Sequence, residues 1–241
     1  PDSSWWMICL GYRTSGYLLH VMGRETMLAP VRWDKNAWPV VNGTGTIAID
    51  MKCNTLPLFL MPLDPVREEF NFVKRDVPAD SYSSIGLPWG WMSIGNPDYS
   101  RYSLTEREGW LRLRPTSTPL DAAMSPTFVA RRQTELRFNA TALIDASHLA
   151  EGSQAGITAY AAPLNHYDVI VERKNGKLFA KSNIRLGALS HDDRPIELKD
   201  AQAYLRISSD KDYYYMQVSV DGNSFTTLSK MDYRYLSTEV I

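Results

Sequence analysis

Catalysis needs particular side chains at particular spacings, and this 241-residue sequence offers few of them. It contains no GxSxG elbow, P-loop, dinucleotide glycine fingerprint or metal-type histidine pair. The four histidines, His20, His148, His166 and His191, stand far apart along the chain. His20 sits in an apolar run, which suits a core or pocket-lining side chain. His148 and His191 sit in polar stretches and are expected at the surface. The adjacent carboxylates Glu68-Glu69 and Asp192-Asp193 invite an acid–base reading. Neighbours on a strand point to opposite faces, however, so both pairs read as solvated charges. The two cysteines, Cys9 and Cys53, have no CxxC spacing and read as ordinary buried thiols rather than zinc or redox groups.

Gly23-Arg24-Glu25-Thr26 is more informative. It places an arginine and a glutamate between two apolar runs, where an unpaired guanidinium would be costly to bury. Two readings stay open: an Arg24–Glu25 pair on a surface hairpin, or an arginine projecting into a ligand pocket and donating to hydroxyls. Aromatic residues make up 11% of the chain, with seven tryptophans. Flat apolar rings suit sugar stacking, and they suit a well-filled core equally. Trp89-Gly90-Trp91, in a Pro/Gly loop, is the best exposed candidate.

The elements that must position these residues read as strands. Trp5–Leu10, Tyr17–Met22 and Thr26–Trp33 are short β-rich runs separated by Gly and Ser, which suggests a three-stranded antiparallel unit. Alone, such a unit is marginal and needs something to pack against. Between Val40 and Glu69 the pattern dissolves into Asn-Gly turn chemistry and the spaced prolines 57, 62 and 65. Residues 42–68 read as a linker, and Leu56, Leu58, Phe59, Leu60 and Met61 make it a packed one. From about residue 70 the signal is all-β. Leu111 and Leu113 alternate onto one face, as do Tyr214, Met216, Val218 and Val220. Asn175-Gly176 is the strongest hairpin signal, with Asp221-Gly222 a second turn. No twelve-residue stretch shows a capped 3.6-residue period. Strands at 8–12-residue spacing with Gly/Asn turns predict a β-sandwich.

Composition narrows the class. With 44% apolar and 22% charged residues the chain is an ordinary globular one, and a net charge of -1 removes the basic footprint of a nucleic-acid binder. No window of about 20 apolar residues exists, so neither nucleic acid nor membrane is an expected partner. The chain opens Pro1-Asp2-Ser3-Ser4 with no charged, apolar and small-residue signal pattern, so the expected location is cytoplasmic.

Several segments together resemble the C-terminal half of bacterial glycoside hydrolase family 43 enzymes of the β-xylosidase and α-L-arabinofuranosidase type. Trp5–Arg13 resembles a strand late in that family's catalytic propeller, and His20–Val31 resembles its "LGRETxLxPV" stretch, continued by Trp33 and Trp38–Asn42. Tyr102–Leu113 and Phe128–Gln133 resemble the opening of its accessory domain, with Gln154–Tyr160 and Tyr235–Val240 further matches. The resemblance implies an all-β chain: a fragment of a five-bladed β-propeller over 1–41, the packed linker 42–68, and a concanavalin-like two-sheet β-sandwich (jelly roll) over 69–241. In relatives the Ser-Thr-Glu-Val stretch runs on into a further strand, so the sandwich is expected to lack its last strand.

The family's catalysis, as the resemblance implies it, is inverting and uses three propeller carboxylates upstream of the "GRET" stretch. No catalytic residue is therefore expected here. Arg24 matches the arginine that binds substrate hydroxyls, with Glu25 and Thr26 as structural supports of the pocket. Calcium is possible in the family, but Glu68-Glu69-Phe70-Asn71 stands at one of its places and nothing at the other, so no cofactor or metal site is expected. The implied partners are a xylo-oligosaccharide or arabinoside in the complete enzyme, the missing propeller segment, and further copies of the chain in a homo-oligomer. A carbohydrate-binding module, or a purely structural or oligomerisation sandwich, is the alternative.

Overall fold

The computed structural model describes residues 3–43, 45–54, 57–60, 65–73, 85–88 and 90–241. It divides into two units, one made of Pro1–Arg13 and Met22–Glu68, the other of Thr14–Val21 and Glu69–Ile241.

In the first unit β1 (Trp5–Gly11) pairs antiparallel with β2 (Glu25–Trp33), which pairs in turn with β3 (Pro39–Val41). The register sets Trp5 opposite Val31 and Gly11 opposite Glu25. Gly11 is needed there, because a Cβ would stand 2.8 Å from Cγ of Met27. The unit is three-stranded, but its third strand is β3 and not Tyr17–Met22. Ala29 is fully buried and the Trp5 and Trp33 rings meet edge to face at 5.7 Å. Trp5, Ile8, Leu10 and Leu28 remain exposed. Of the apolar residues expected to pack the linker, Leu58, Phe59 and Leu60 are exposed. Leu56 and Met61 lie outside the described residues.

The predicted strand at 17–22 fails for a local reason. Gly16, Tyr17 and Leu18 have φ of 83°, 48° and 61°, left-handed values that no strand contains. The segment instead forms a tight loop that belongs to the second unit. Ser15 N–H donates to the Leu19 carbonyl at 3.0 Å, and Leu19 and Val21 pack against the main core of that unit.

The second unit begins with short pieces: β4 (Trp91–Met92), β5 (Tyr102–Ser103), β6 (Arg112–Leu113) and β7 (Ala130–Arg131). They pair β4 with β7 and β5 with β6 around a small core of Leu87, Tyr102 and Leu104. Leu111 packs on that core while Leu113 is exposed, since a two-residue strand leaves no alternation to propagate.

The sandwich proper follows. β8 (Arg137–Asp145), β14 (Gln202–Asp210), β15 (Tyr213–Ser219) and β16 (Thr226–Asp232) form a four-stranded sheet in the order β16-β15-β14-β8. The second sheet has five strands: β9 (Gln154–Ala162), β10 (Asn165–Lys174), β11 (Lys177–Leu186), β12 (Leu189–Asp192) and β13 (Ile196–Leu198), the last two both pairing with β11. The two-sheet sandwich is as expected. Alternate residues build its core: Tyr167, Val169 and Val171 from one sheet meet Leu205, Ile207, Tyr214 and Met216 from the other. Val220 is exposed, because β15 ends at Ser219 and the chain turns before reaching it.

Asn175 and Gly176, at φ of 53° and 75°, form the expected turn between β10 and β11. The Glu151 carboxylate accepts from both of their N–H groups. β10 is buried on both faces, as a strand covered from two sides must be. Its outer face carries His166, Asp168 and Ile170. On that face Tyr160 of β9 stacks on His166 and meets the Phe128 ring at 5.4 Å.

Candidate functional site

Glu25 and Thr26 open β2, and Arg24 stands just before them, after Gly23, whose φ of 67° reverses the chain. Arg24 is exposed. Glu25 is half-buried and clamped by Arg13, whose Nε donates to Oε2 at 2.9 Å and whose Nη2 donates to Oε1 at 2.8 Å. The same Nη2 lies 3.5 Å from the Met22 sulfur. Strand alternation sends Thr26 to the face opposite Glu25, where it is exposed.

The structure therefore brings Glu25 together with Arg13, a residue that the sequence reading did not single out. The signal was present in the hairpin: Gly11 pairs with Glu25, so a long side chain two residues beyond Gly11 can reach the carboxylate. Bidentate guanidinium–carboxylate pairing fixes both groups in plane, which makes Glu25 a rigid acceptor at the start of β2. The Arg24 guanidinium can donate hydrogen bonds to hydroxyls and offers no group for proton transfer.

The other candidates disperse. Asp192 is held by Lys181 Nζ at 2.8 Å, and Asp193 accepts from Ser182 Oγ at 2.6 Å. Burial pushes both carboxyls up, and these partners outweigh it, so each sits below the usual carboxylate range. They are structural ion pairs and acceptors rather than merely solvated charges. His148 and His191 are exposed as expected. His20 is buried and paired with Glu239, whose Oε2 also accepts from the His20 N–H at 3.1 Å. Of the cysteines expected to be buried, Cys9 is half-buried and Cys53 is exposed. Trp89 lies outside the described residues. Trp91 is half-buried, tilted against Phe70 at 5.7 Å and lying beneath Arg131 at 5.7 Å, a packing role.

One pair escaped the sequence reading altogether. His166 Nδ1 lies 2.9 Å from both Asp168 oxygens, both residues are buried, and Tyr160 stacks on the imidazole at 5.8 Å. Spacing of two on a strand puts the pair on one face, which is the signal that could have found it.

Cavities in the second unit offer two further candidates. One of about 530 Å³ is lined by Asp145, Ser147, Asp200, Ala201, Gln202 and Val220. Burial there pushes Asp145 up, but Arg107, Ser147 and Gln202 donate to its carboxyl and hold it far below the usual range. Those donors occupy its oxygens, so it is no free base. The other, about 330 Å³, is lined by Asn71, Phe72, Leu104, Thr105 and Glu108. It gathers one carboxylate where a calcium ion would want several. Among the described residues no group of three or more His, Cys, Asp or Glu could hold a metal ion.

Comparison with known proteins decides the family. Residues 79–241 match the GH43_C2 family, described as the beta xylosidase C-terminal concanavalin A-like domain. The chain belongs to this family. Among curated relatives, the non-reducing end alpha-L-arabinofuranosidase BoGH43B of Bacteroides ovatus is 35% identical over 179 residues, spanning 74% of this chain and 32% of the relative. A xylosidase/arabinosidase of Butyrivibrio fibrisolvens is 26% identical over 240 residues, 94% of this chain and 44% of its own length. Among solved structures, the Bacteroides ovatus GH43B protein from a xyloglucan locus superposes with a TM-score of 0.84 at 30% identity, covering 100% of this chain and 45% of that one. The GH43 protein BlXynB of Bacillus licheniformis gives a TM-score of 0.84 at 25% identity, covering 98% and 44%. This GH43_C2 chain thus spans less than half the length of these relatives, and matches their C-terminal part.

Proposed function

We propose that this chain is the C-terminal part of a glycosidase that removes xylosyl or arabinosyl units from xylo-oligosaccharides by inversion, with Arg24 donating hydrogen bonds to sugar hydroxyls. In that reading the working carboxylates, about 6.5–9.5 Å apart as inversion requires, come from a segment outside this chain. Glu25 and Thr26 support the pocket, and Arg13 holds Glu25. The observation that carries the reading is the exposed Arg24 beside a clamped Glu25, within a chain of this family. The exposed Ile8, Leu10 and Leu28, which share one face of the β1–β2 pair, are read as surface that the rest of the propeller covers.

By itself the chain does not hydrolyse glycosides. General acid and base groups contribute about 10²–10⁴-fold each, and a permanently charged arginine supplies neither. Purified chain incubated with nitrophenyl xyloside and nitrophenyl arabinofuranoside is expected to release no nitrophenol above the no-protein rate. Release that disappears on Glu25→Gln would overturn the proposal. A non-catalytic sandwich without any sugar contact is the second reading, favoured by the structural bonds that occupy Asp145, Asp192, Asp193 and Asp232.

A further inference from the structure

We infer that the loop at Ser15–Leu19 is a sugar-stacking platform, with the Tyr17 ring as its face. Tyr17 and Leu18 are 83% and 79% exposed, and both hold left-handed backbone with φ of 48° and 61°. Large side chains avoid that region, and residues kept there against their preference cluster at ligand clamps. Here the surroundings over-determine the conformation. Ser15 Oγ donates to the Lys211 carbonyl at 3.2 Å, and Tyr233 OH donates to the Ser15 and Gly16 carbonyls. Thr238 N–H donates to the His20 carbonyl at 3.0 Å, while Glu239 takes both the His20 ring and its N–H. An apolar tip presented to water on so many anchors is built, not frayed.

The size of the tip selects its ligand. A protein partner needs about 800 Å² of contact on each side, far beyond two side chains. One sugar ring needs one aromatic face and nearby donors. Tyr17 supplies the face at low entropic cost, having only two side-chain torsions to freeze. Arg234 supplies the donors: its guanidinium stands 5.6 Å from the Tyr17 ring and is held by Asp232 through Nε and Nη2, which leaves the Nη1 group for a ligand hydroxyl. The pairing with Asp232 neutralises its charge, as suits an uncharged ligand. The chemical class is thus a pentose oligosaccharide, a choice of sugar that rests on the proposed function above.

Titrating the purified chain with xylotetraose tests this by calorimetry, with ring resonances of labelled tyrosine as a second readout. Tyr17→Ala is expected to weaken binding about tenfold and Tyr17→Phe to change it less than about threefold. Unaltered circular dichroism and thermal midpoint of Tyr17→Ala show that the fold is intact. No heat and no tyrosine shift up to about 10 mM sugar would overturn the platform, as would binding that survives Tyr17→Ala. So would a loss of self-association on Tyr17→Ala, which would make the tip a contact between copies. Tyr17-dependent binding of a hexose oligosaccharide in place of the pentose would instead overturn the sugar class while sustaining the platform.

Discussion

Single residues in this chain are legible where backbone geometry forces a residue type. Asn175-Gly176 is such a place, since a two-residue turn between strands needs positive φ twice. Gly156 is a stronger constraint that the sequence does not advertise. A Cβ there would stand 2.2 Å from the Val169 carbonyl oxygen and 2.7 Å from Cα of Ile170, backbone atoms of the neighbouring strand that cannot step aside. Gly156→Ala is therefore expected to cost about 3 kcal/mol, the upper range for overpacking. Gly152 has φ of 74° with nothing within 4 Å, so Gly152→Ala meets only backbone strain, about 1 kcal/mol. Urea unfolding of the two variants measures the difference, and equal losses would mean that the β9–β10 pair can part to admit the methyl. Arg13 was hidden for a different reason. Its partner Glu25 is twelve positions away, and only the register of β1 on β2 brings them together.

At the level of elements, alternation located the long strands and failed where a neighbour rather than the pleat decides burial. β8, β10, β11, β14 and β15 all follow apolar alternation or a buried run visible in the sequence. Tyr17–Met22 has similar composition, yet its apolar residues serve the sandwich core through Leu19 and Val21. That use is invisible locally, because the receiving residues Tyr233, Thr238 and Glu239 come some 220 positions later. The anchoring makes a prediction. Tyr233→Phe keeps the buried ring and removes the hydroxyl that bonds to the Ser15 and Gly16 carbonyls, at a cost of about 1 kcal/mol. Amide exchange at Ser15 and Leu19 is expected to accelerate while β10 and β14 keep their protection. Slowed or unchanged exchange in the loop would show that Glu239 and Thr238 suffice to hold it.

For the whole molecule, pH is the variable that gathers these bonds into one measurable quantity. Burial raises Asp145, and the donors around it more than compensate. Asp221, bonded by Ser224 N–H, Ser219 and Asn223 N–H, sits at about 2, and hydrogen bonds hold Asp210 and Asp232 below the usual carboxylate range as well. A carboxyl that holds its proton less tightly when folded adds stability above its unfolded pKa, and the addition disappears as pH falls through the folded value. Stability should thus be level near neutrality and decline from about pH 5 downward. Asp145→Asn is expected to destabilise the chain at pH 7 and far less at pH 2, which flattens that decline. The alkaline edge has the opposite chemistry. Burial pushes Tyr214 up to about 12 and Tyr167 higher still, Tyr167 OH donating to the Asp232 carbonyl at 2.8 Å. Above about pH 10 an unfolded tyrosine ionises while these two remain neutral, so the unfolded state gains and stability falls as pH rises. Phenolate absorbance followed beside circular dichroism should show two tyrosines titrating only as the sandwich unfolds. If Tyr167 and Tyr214 ionised near pH 10 with the strands intact, the two-sheet core would be admitting water, and the edge contact of the two rings at 5.9 Å would not hold in solution.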